Sequence, residues 1–410
     1  MNEPPGKGLL LLAYYYLPGN TSGVQRAVRL AKYLPRNGYA TYVISSTYGG
    51  EAPLPNVVHV PNASAERNAV RAAKWADRLQ RILPYNDQLS WVPHAVAAAD
   101  SFISRNSVSS VISTSPPVAA HLAAMWLKRR YGLKWIADFR DPILGNPGRN
   151  RRWAAPYDLF LQRMIFGAAD AVIAVTDTVA EGWRSDYPRI AHKIHVVWNG
   201  FDPEDQFGPA SLPARPFRLL SHVGLLYAQR HPLALLASLE RLIRNGRLDP
   251  GAVRVRFTGP IQNESALLTD PSAAALMRTG YLEFRGELIP RADAMHEIAT
   301  SDFLLLLDIV NPANVGYTVP AKLYDYILAG RPILSVTAQN SPVERILAGS
   351  GIRYMCLYHD DSADEIDQKV LQFFKLPSEP AAPSAWFLER FAGDRQAAMI
   401  ASLLNDLTGG

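Results

Sequence analysis

LLLLAYYYLPGNTSGVQRAVRLAKYL, residues 9–34, decides the fold. Its opening run, 9–16, is continuously apolar, the signature of a strand covered on both faces. A loop with Gly19 and Gly23 follows. Val24, Ala27, Val28, Ala31 and Leu34 then recur at i, i+3, i+4, i+7 and i+10, which winds them onto one side of a helix. Glycine lets backbone amides approach a ligand, and a helix N-terminus favours an anion, so Gly23 is a candidate phosphate contact. The same residues suit a plain strand–helix turn, and the GxGxxG dinucleotide fingerprint is missing.

The alternation continues outward from this unit. Further strands are expected at 41–45, 57–60, 110–114, 134–138, 171–175 and 194–197. NGFDPEDQFGPASLPARP, 199–216, loses all periodicity and reads as a domain boundary or hinge. Strands resume at 217–224, 253–259, 281–286, 303–308, 332–336 and 353–357, with helices between. A proline-rich break at 377–383 precedes a last amphipathic helix over about 384–407. The fold class is α/β: two doubly wound, Rossmann-like domains of parallel strands, with the cleft between them as the expected ligand site. The boundaries read as 1–202, 203–383 and 384–410.

At 410 residues the chain is long enough for two cores. Lys and Arg exceed Asp and Glu by 42 − 37 = 5, a mild excess that suits anionic ligands or an anionic membrane surface. No nucleic-acid module is legible, and no nucleic-acid partner is expected. The single Cys356 excludes an intramolecular disulfide and any cysteine-based metal cluster. MNEPPGKG, with Glu3 and two prolines, does not read as a secretory signal, and no apolar run is long enough to span a bilayer. The expected location is the cytoplasm, in reach of the inner face of the cell membrane.

Five stretches could carry chemistry, the first being the Gly23 loop. In HVGLLYAQRHPLALL, 222–236, Gly224 ends a strand and Arg230 stands just before Pro232, at the start of a helix. A guanidinium there can clamp a diphosphate on two prongs, or simply sit in solvent beside a loop. In YTVPAKLYDYILAG, 317–330, Lys322 and Asp325 lie opposite the apolar Leu323 and Ile327. They form either a surface ion pair or a donor contact in which the carboxylate accepts from a ribose diol. STSPPVAAH and KWIADFRDPILGNP place Asp138, Arg140 and Asp141 at the carboxyl end of a buried strand, where α/β folds put active-site residues. A local salt-bridge cluster is the other reading of those three, and His121 reads as packing or surface. Finally, Arg67, Arg71, Lys74, Arg78 and Arg81 recur at spacings of 4, 3, 4 and 3. They fall within about 40° of one helical line, with Trp75, Ala76, Leu79, Ile82 and Leu83 on the apolar face. Such a helix either packs in its domain or lies on an anionic membrane, with RNRRW (149–153) and WLKRR (126–130) adding basic-aromatic surface.

In their order and spacing these segments, followed by ADAVIAVTD, VVWNGFD and PAKLYDYILAGRP, resemble a two-domain glycosyltransferase of the GT-B type, close to family 4. The resemblance covers nearly the whole chain. It implies a C-terminal domain that binds a nucleotide-diphosphate sugar and an N-terminal domain that binds the acceptor. It also implies a last helix that crosses back onto the first domain. Arg230 matches the diphosphate-binding basic residue, and Asp325 the second acid of the E-x7-E motif that holds the ribose. The first acid would fall at Tyr317, so Gly316, Tyr317 and Thr318 would meet the sugar through backbone or hydroxyl groups. Where many members carry a lysine after the loop arginine, this chain has His231 and Pro232.

The implied activity is sugar transfer to a glycan or polyprenyl-linked acceptor of the cell envelope, retaining and metal-independent, with the nucleotide sugar as substrate and no cofactor. Asp138, Arg140 and Asp141 are the candidate catalytic residues, with an aspartate orienting the acceptor hydroxyl. Gly23, Gly224, Arg230, Tyr317, Thr318, Lys322 and Asp325 are the donor-binding candidates. A GT-B nucleotide-sugar epimerase and a non-catalytic nucleotide-sugar-binding protein are the alternatives.

Overall fold

The computed structural model describes residues 6–19, 23–47, 50, 53–62, 75–76, 78–79, 82–146, 149, 151–205, 207, 212–226, 230–261, 267, 269–308, 316 and 319–409. The chain divides into two units, Met1–Pro203 with Phe391–Gly410, and Glu204–Arg390.

The first unit holds a seven-stranded sheet: β1 (Lys7–Ala13), β2 (Tyr39–Ser46), β3 (Val57–Val60), β4 (Val108–Ser115), β5 (Lys134–Phe139), β6 (Ala171–Ala174) and β7 (Ile194–Val196). Their order is β3-β2-β1-β4-β5-β6-β7 and every pairing is parallel. The second unit repeats the plan with β8 (Arg218–Val223), β9 (Val253–Thr258), β10 (Leu282–Arg285), β11 (Phe303–Leu307), β12 (Ile333–Thr337) and β13 (Tyr354–Tyr358). Its order is β10-β9-β8-β11-β12-β13, again parallel throughout. In each sheet the chain runs outward and then returns beside its first strand. That leaves a topological switch point at β1/β4 and another at β8/β11, where open α/β sheets bind ligands.

All thirteen stretches read as strands form strands, with most ends shifted by one or two residues. The largest shift is in β1, which stops at Ala13 instead of running through Tyr16. There the Tyr14 carbonyl turns to accept from the Ser46 amide at 3.1 Å and the Ser46 hydroxyl at 2.7 Å. The Gly19 amide closes a turn onto the Tyr16 carbonyl at 3.0 Å. Tyr14 is buried because its ring meets Trp91 edge-on, with centroids 5.6 Å apart, and not because the strand continues.

The helix Val24–Tyr33 is covered more widely than its apolar stripe predicts. Arg26 and Arg29 are buried with Ala27, Leu30 and Tyr33, while Val28 and Ala31 are half-buried. A second layer explains this. Helix Gly393–Thr408 inserts Ala397, Ile400, Ala401 and Leu404 into the same core as Leu9, Leu11, Ile112 and Ile136. Side chains the size of Ile400 and Leu404 each contribute roughly 1.5–3 kcal/mol when fully buried.

The last helix differs from the expected single span of 384–407. It is two helices, Ala385–Phe391 and Gly393–Thr408, parted at Ala392, whose backbone is extended. The Phe201 amide donates to the Phe391 carbonyl at 3.1 Å, and the Gly393 amide donates to the Phe201 carbonyl at 2.9 Å. This short parallel bridge takes the backbone groups a continuous helix would need. Gly200 is required beside it, since a Cβ there would strike the Phe391 carbonyl. Residues 384–390, grouped by sequence with the last helix, pack instead in the second unit: the Ser384 amide donates to the Ser350 carbonyl at 2.7 Å, and Phe387 stacks near Tyr324.

Candidate functional site

The second unit builds its site at the β8/β11 switch point. β8 ends at Val223, and Gly224 turns the chain with φ +108°, a conformation that favours glycine. Its amide donates to the Thr258 carbonyl at 2.6 Å. Gly259, after β9, presses against the Gly224 backbone, and a Cβ on Gly224 would come within 2.7 Å of Lys322 Cε. These two side-chain-free turns open the space into which Lys322 reaches. Lys322 heads the helix Lys322–Ala329, and its Nζ donates to the Leu225 carbonyl at 2.9 Å.

Two cationic side chains, Lys322 and Arg230, influence each other at this point. Burial pushes the Lys322 ammonium down to about 7, and the Arg230 charge lowers it further against the opposing pull of Asp325. His222, buried beneath, donates from Nδ1 to the Leu305 carbonyl at 2.9 Å. Burial, then the charge of Lys322, pushes its imidazole well below the ordinary histidine value, so it stays neutral. The charges of Lys322 and Arg230 thus act on one another near this turn, an arrangement that suits an anion.

Asp325 faces a third cation. Arg291, at the start of helix Arg291–Ala299, donates to both of its oxygens at 3.3 Å and to Asp205 Oδ2 at 2.5 Å. Although burial opposes it, the charges of Asp325 and Asp205 hold the Arg291 proton more firmly than usual. Beside Gly259 a cavity of about 670 Å³ lies at the carboxyl ends of β9 and β10, with Thr258, Gly286, Glu287, Asp293 and Glu297 among its walls. Gly316 is buried with φ +90°, while Tyr317 and Thr318 lie outside the described residues.

At the carboxyl end of β5 the first unit departs from expectation. Asp138 is 0% exposed, and Arg26 takes both its oxygens, Nε to Oδ2 at 2.8 Å and Nη2 to Oδ1 at 2.7 Å. Arg26 also donates to the carbonyls of Trp198 at 2.8 Å and Val197 at 3.1 Å. Arg140 spans three backbone carbonyls: Ser115 at 2.9 Å, Pro116 at 2.9 Å, and Gly23. Burial lowers its guanidinium against the pull of Asp141 and Asp138. Asp138 and Arg140 therefore brace loops and the 197–198 segment, and their polar groups are spent on the framework instead of on an acceptor. The Gly23 carbonyl is part of this bracing. Asp141 is half-buried at the same strand end. His121 is a packing residue as read. Its Nδ1 lies 2.8 Å from Ser113 Oγ and its ring 4.3 Å from Phe139, and burial pushes it down to about 3.

Residues 22–205 match the sequence model of Glycosyltransferase Family 4. No curated protein matches the sequence. Among solved structures, sucrose-phosphate synthase from Thermosynechococcus elongatus superposes with TM-score 0.65 at 10% identity, covering 98% of this chain and 99% of that one. Anabaena HepE in complex with UDP and glucose gives TM-score 0.60 at 14% identity, covering 98% and 100%. An E. coli structure titled trehalose-6-phosphate bound with UDP-2-fluoro glucose gives TM-score 0.60 at 12% identity, covering 98% and 97%. The chain has the fold of these proteins, and its residues 22–205 resemble Glycosyltransferase Family 4. Its fold is shared with these proteins along their whole length, while the identities are too low to carry substrates across.

Several residues of this chain were not legible as a group. Arg149, read in RNRRW as basic surface, is the centre of a network, with Asp87 and Asp158 each at 2.6 Å and the Tyr85 ring centroid at 4.1 Å. Tyr157 donates to Asp87 at 2.9 Å. Arg291 and Asp205 carried no signal at all, standing 86 residues apart. In WLKRR, Lys128 pairs with Asp170 at 2.6 Å, and Arg130 pairs with Asp100 at 3.5 Å.

Of the basic stripe, Arg67, Arg71, Lys74 and Arg81 lie outside the described residues. Arg78 stacks over Trp75 at 5.4 Å. Of the two readings left open for the apolar face of this stretch, Trp75, Leu79 and Ile82 follow the unpacked one, all three being exposed.

Proposed function

We propose that this chain transfers a sugar from a nucleotide-diphosphate donor, bound by the second unit, to a glycan or polyprenyl-linked acceptor bound by the first. The observation that carries this is Lys322 reaching over the Gly224 turn, on the switch point of the second sheet, under the charge of Arg230. A diphosphate there meets two positive charges, and a nucleoside can lie toward the cavity beside Gly259. The UDP and UDP-glucose held by HepE, a protein of the same fold, support a nucleotide sugar as the donor class.

In the reaction the bond from the anomeric carbon to the β-phosphate oxygen breaks, and charge grows on the departing diphosphate. Arg230 and Lys322 are preorganised for that charge, a role a metal ion fills in other enzymes, and removing one such group costs on the order of 10²–10³ in rate. The acceptor oxygen bonds to the anomeric carbon on the face the diphosphate leaves, and its proton passes to the leaving oxygen. That course retains the anomeric configuration and needs no metal. Asp141, half-buried at the end of β5, is the candidate to orient the acceptor hydroxyl.

The test is nucleotide release from UDP-, GDP-, ADP- and dTDP-sugars offered with oligosaccharide and polyprenyl acceptors, with and without EDTA. Release from one donor class, unchanged by EDTA, is expected. Activity lost in EDTA and restored by manganese would contradict metal independence, and release from no donor would contradict transfer.

An anionic membrane surface on the cytoplasmic side completes the proposal. Trp153, in the turn before helix Ala155–Ala168, is 69% exposed and Phe160, in that helix, 62%, with Arg151 and Arg152 preceding them in sequence. The Arg151 amide donates to the Tyr85 hydroxyl at 3.0 Å, so this face adjoins the end of the segment that carries the exposed Trp75, Leu79 and Ile82. Exposed aromatics flanked by arginines suit the boundary of an anionic bilayer. Co-sedimentation with phosphatidylglycerol vesicles should drop severalfold when Trp153 and Phe160 become Ala, and again when Arg71, Lys74 and Arg78 become Glu. Undiminished binding in both variants would remove the membrane from the account.

A further inference from the structure

Arg291 stands between two carboxylates at unequal distances. Its guanidinium lies 2.5 Å from Asp205 and 3.3 Å from each oxygen of Asp325. An arginine fork holds a carboxylate plane in direction as well as in charge. The short contact anchors the guanidinium, and the long one orients Asp325 while leaving it weak enough for a hydroxyl to compete for the same oxygens. All three side chains are partly open to solvent, with 32%, 27% and 20% exposure for Arg291, Asp205 and Asp325. Asp205 lies one residue past the start of the second unit at Glu204, where the chain has just left the first.

We propose that Arg291 is a positioning residue for the donor: it aims the Asp325 carboxylate at the ribose hydroxyls of the nucleotide and ties that carboxylate, through Asp205, to the segment joining the units. The inference rests on Asp325 as the ribose acceptor. It assigns the chain's own substitute for rigidity at a site whose first expected acid is Tyr317. A carboxylate aimed in this way discriminates a ribose from a deoxyribose, and the discrimination depends on a residue that touches no part of the nucleotide.

Calorimetry with UDP and 2′-deoxy-UDP reads this directly; if GDP or ADP is the nucleotide that binds, that diphosphate and its 2′-deoxy form serve instead. Wild type should prefer the ribonucleotide by about ten- to a hundredfold, the worth of hydrogen bonds to a charged group. In Arg291→Gln the preference should shrink to about twofold, by loss of ribonucleotide affinity alone. Arg291→Lys, which keeps the charge and loses the fork, should be intermediate, and Asp205→Asn should reduce the preference severalfold. These two variants decide the matter if Arg291→Gln does not fold. A full ribose preference in the variants, or an equal loss of both nucleotides, overturns the role of Arg291. The absence of any ribose preference in wild type overturns the Asp325 assignment itself, a distinct result.

Discussion

Lys322→Ala is expected to lower kcat/KM for the sugar donor by about 10²–10³ and to flatten the pH dependence of nucleotide binding. The size follows from its place, over a glycine turn and bonded to the Leu225 carbonyl. The pH dependence follows from its ammonium being pushed down to about 7 by burial and by Arg230. Above that value the empty site holds a neutral amine, and a bound diphosphate draws a proton back onto it. Affinity should therefore fall by up to about tenfold per pH unit between 7 and 9, with close to one proton taken up on binding at pH 8. His222 beneath it does not mimic this, because burial pushes its imidazole well below the ordinary histidine value and it stays neutral through the window. Stability moves in the opposite sense. The folded value lies below the free-lysine value of 10.5, so the unfolded chain binds more protons between about 7 and 10.5. The second unit should gain stability as pH rises through that window, and Lys322→Ala should remove the gain. Titrations in buffers of different ionisation enthalpy, with wild type and Lys322→Ala, measure the proton uptake. An unchanged uptake in the mutant would mean another group titrates.

Asp138→Asn is the second large effect, and it is on stability. The change leaves Arg26 buried with its charge uncompensated, at 3% exposure, beneath the carbonyls of Val197 and Trp198. Breaking a buried pair in this manner costs roughly 3–5 kcal/mol. Asp141→Asn, on a half-buried neighbour, should cost under about 1 kcal/mol. Denaturant titration of both variants separates the framework role from a catalytic one. A stable Asp138→Asn protein with abolished turnover would return Asp138 to the acceptor site.

That contrast shows what the sequence could and could not disclose. The strands were legible because parallel strands buried on both faces are continuous apolar runs, as in Leu9–Leu12 and Phe303–Leu307. The glycine loops and the helix at Lys322 were legible because turn and helix signals are local. Asp138, Arg140 and Asp141 were placed correctly at a strand end, yet whether a charge there serves a ligand or a partner depends on residues far away in sequence. Arg26 lies 112 residues from Asp138, and Asp205 lies 86 from Arg291. Neither pair leaves a periodic or spacing signal. Likewise the break at Ala392 is made by Phe201, a residue from the other end of the hinge segment. Trp75 and Ile82 sit on the apolar side of their helix as read, but amphipathicity alone does not say whether that side meets a core or solvent.

The central claim is that the Gly224 turn with Arg230 and Lys322 holds a nucleoside diphosphate. Titration calorimetry with UDP, GDP, ADP and dTDP on wild type and Arg230→Ala tests it most directly. Saturable binding of one nucleotide, weakened at least tenfold in Arg230→Ala, is the predicted result. Binding of none, or binding that Arg230→Ala leaves intact, would contradict it.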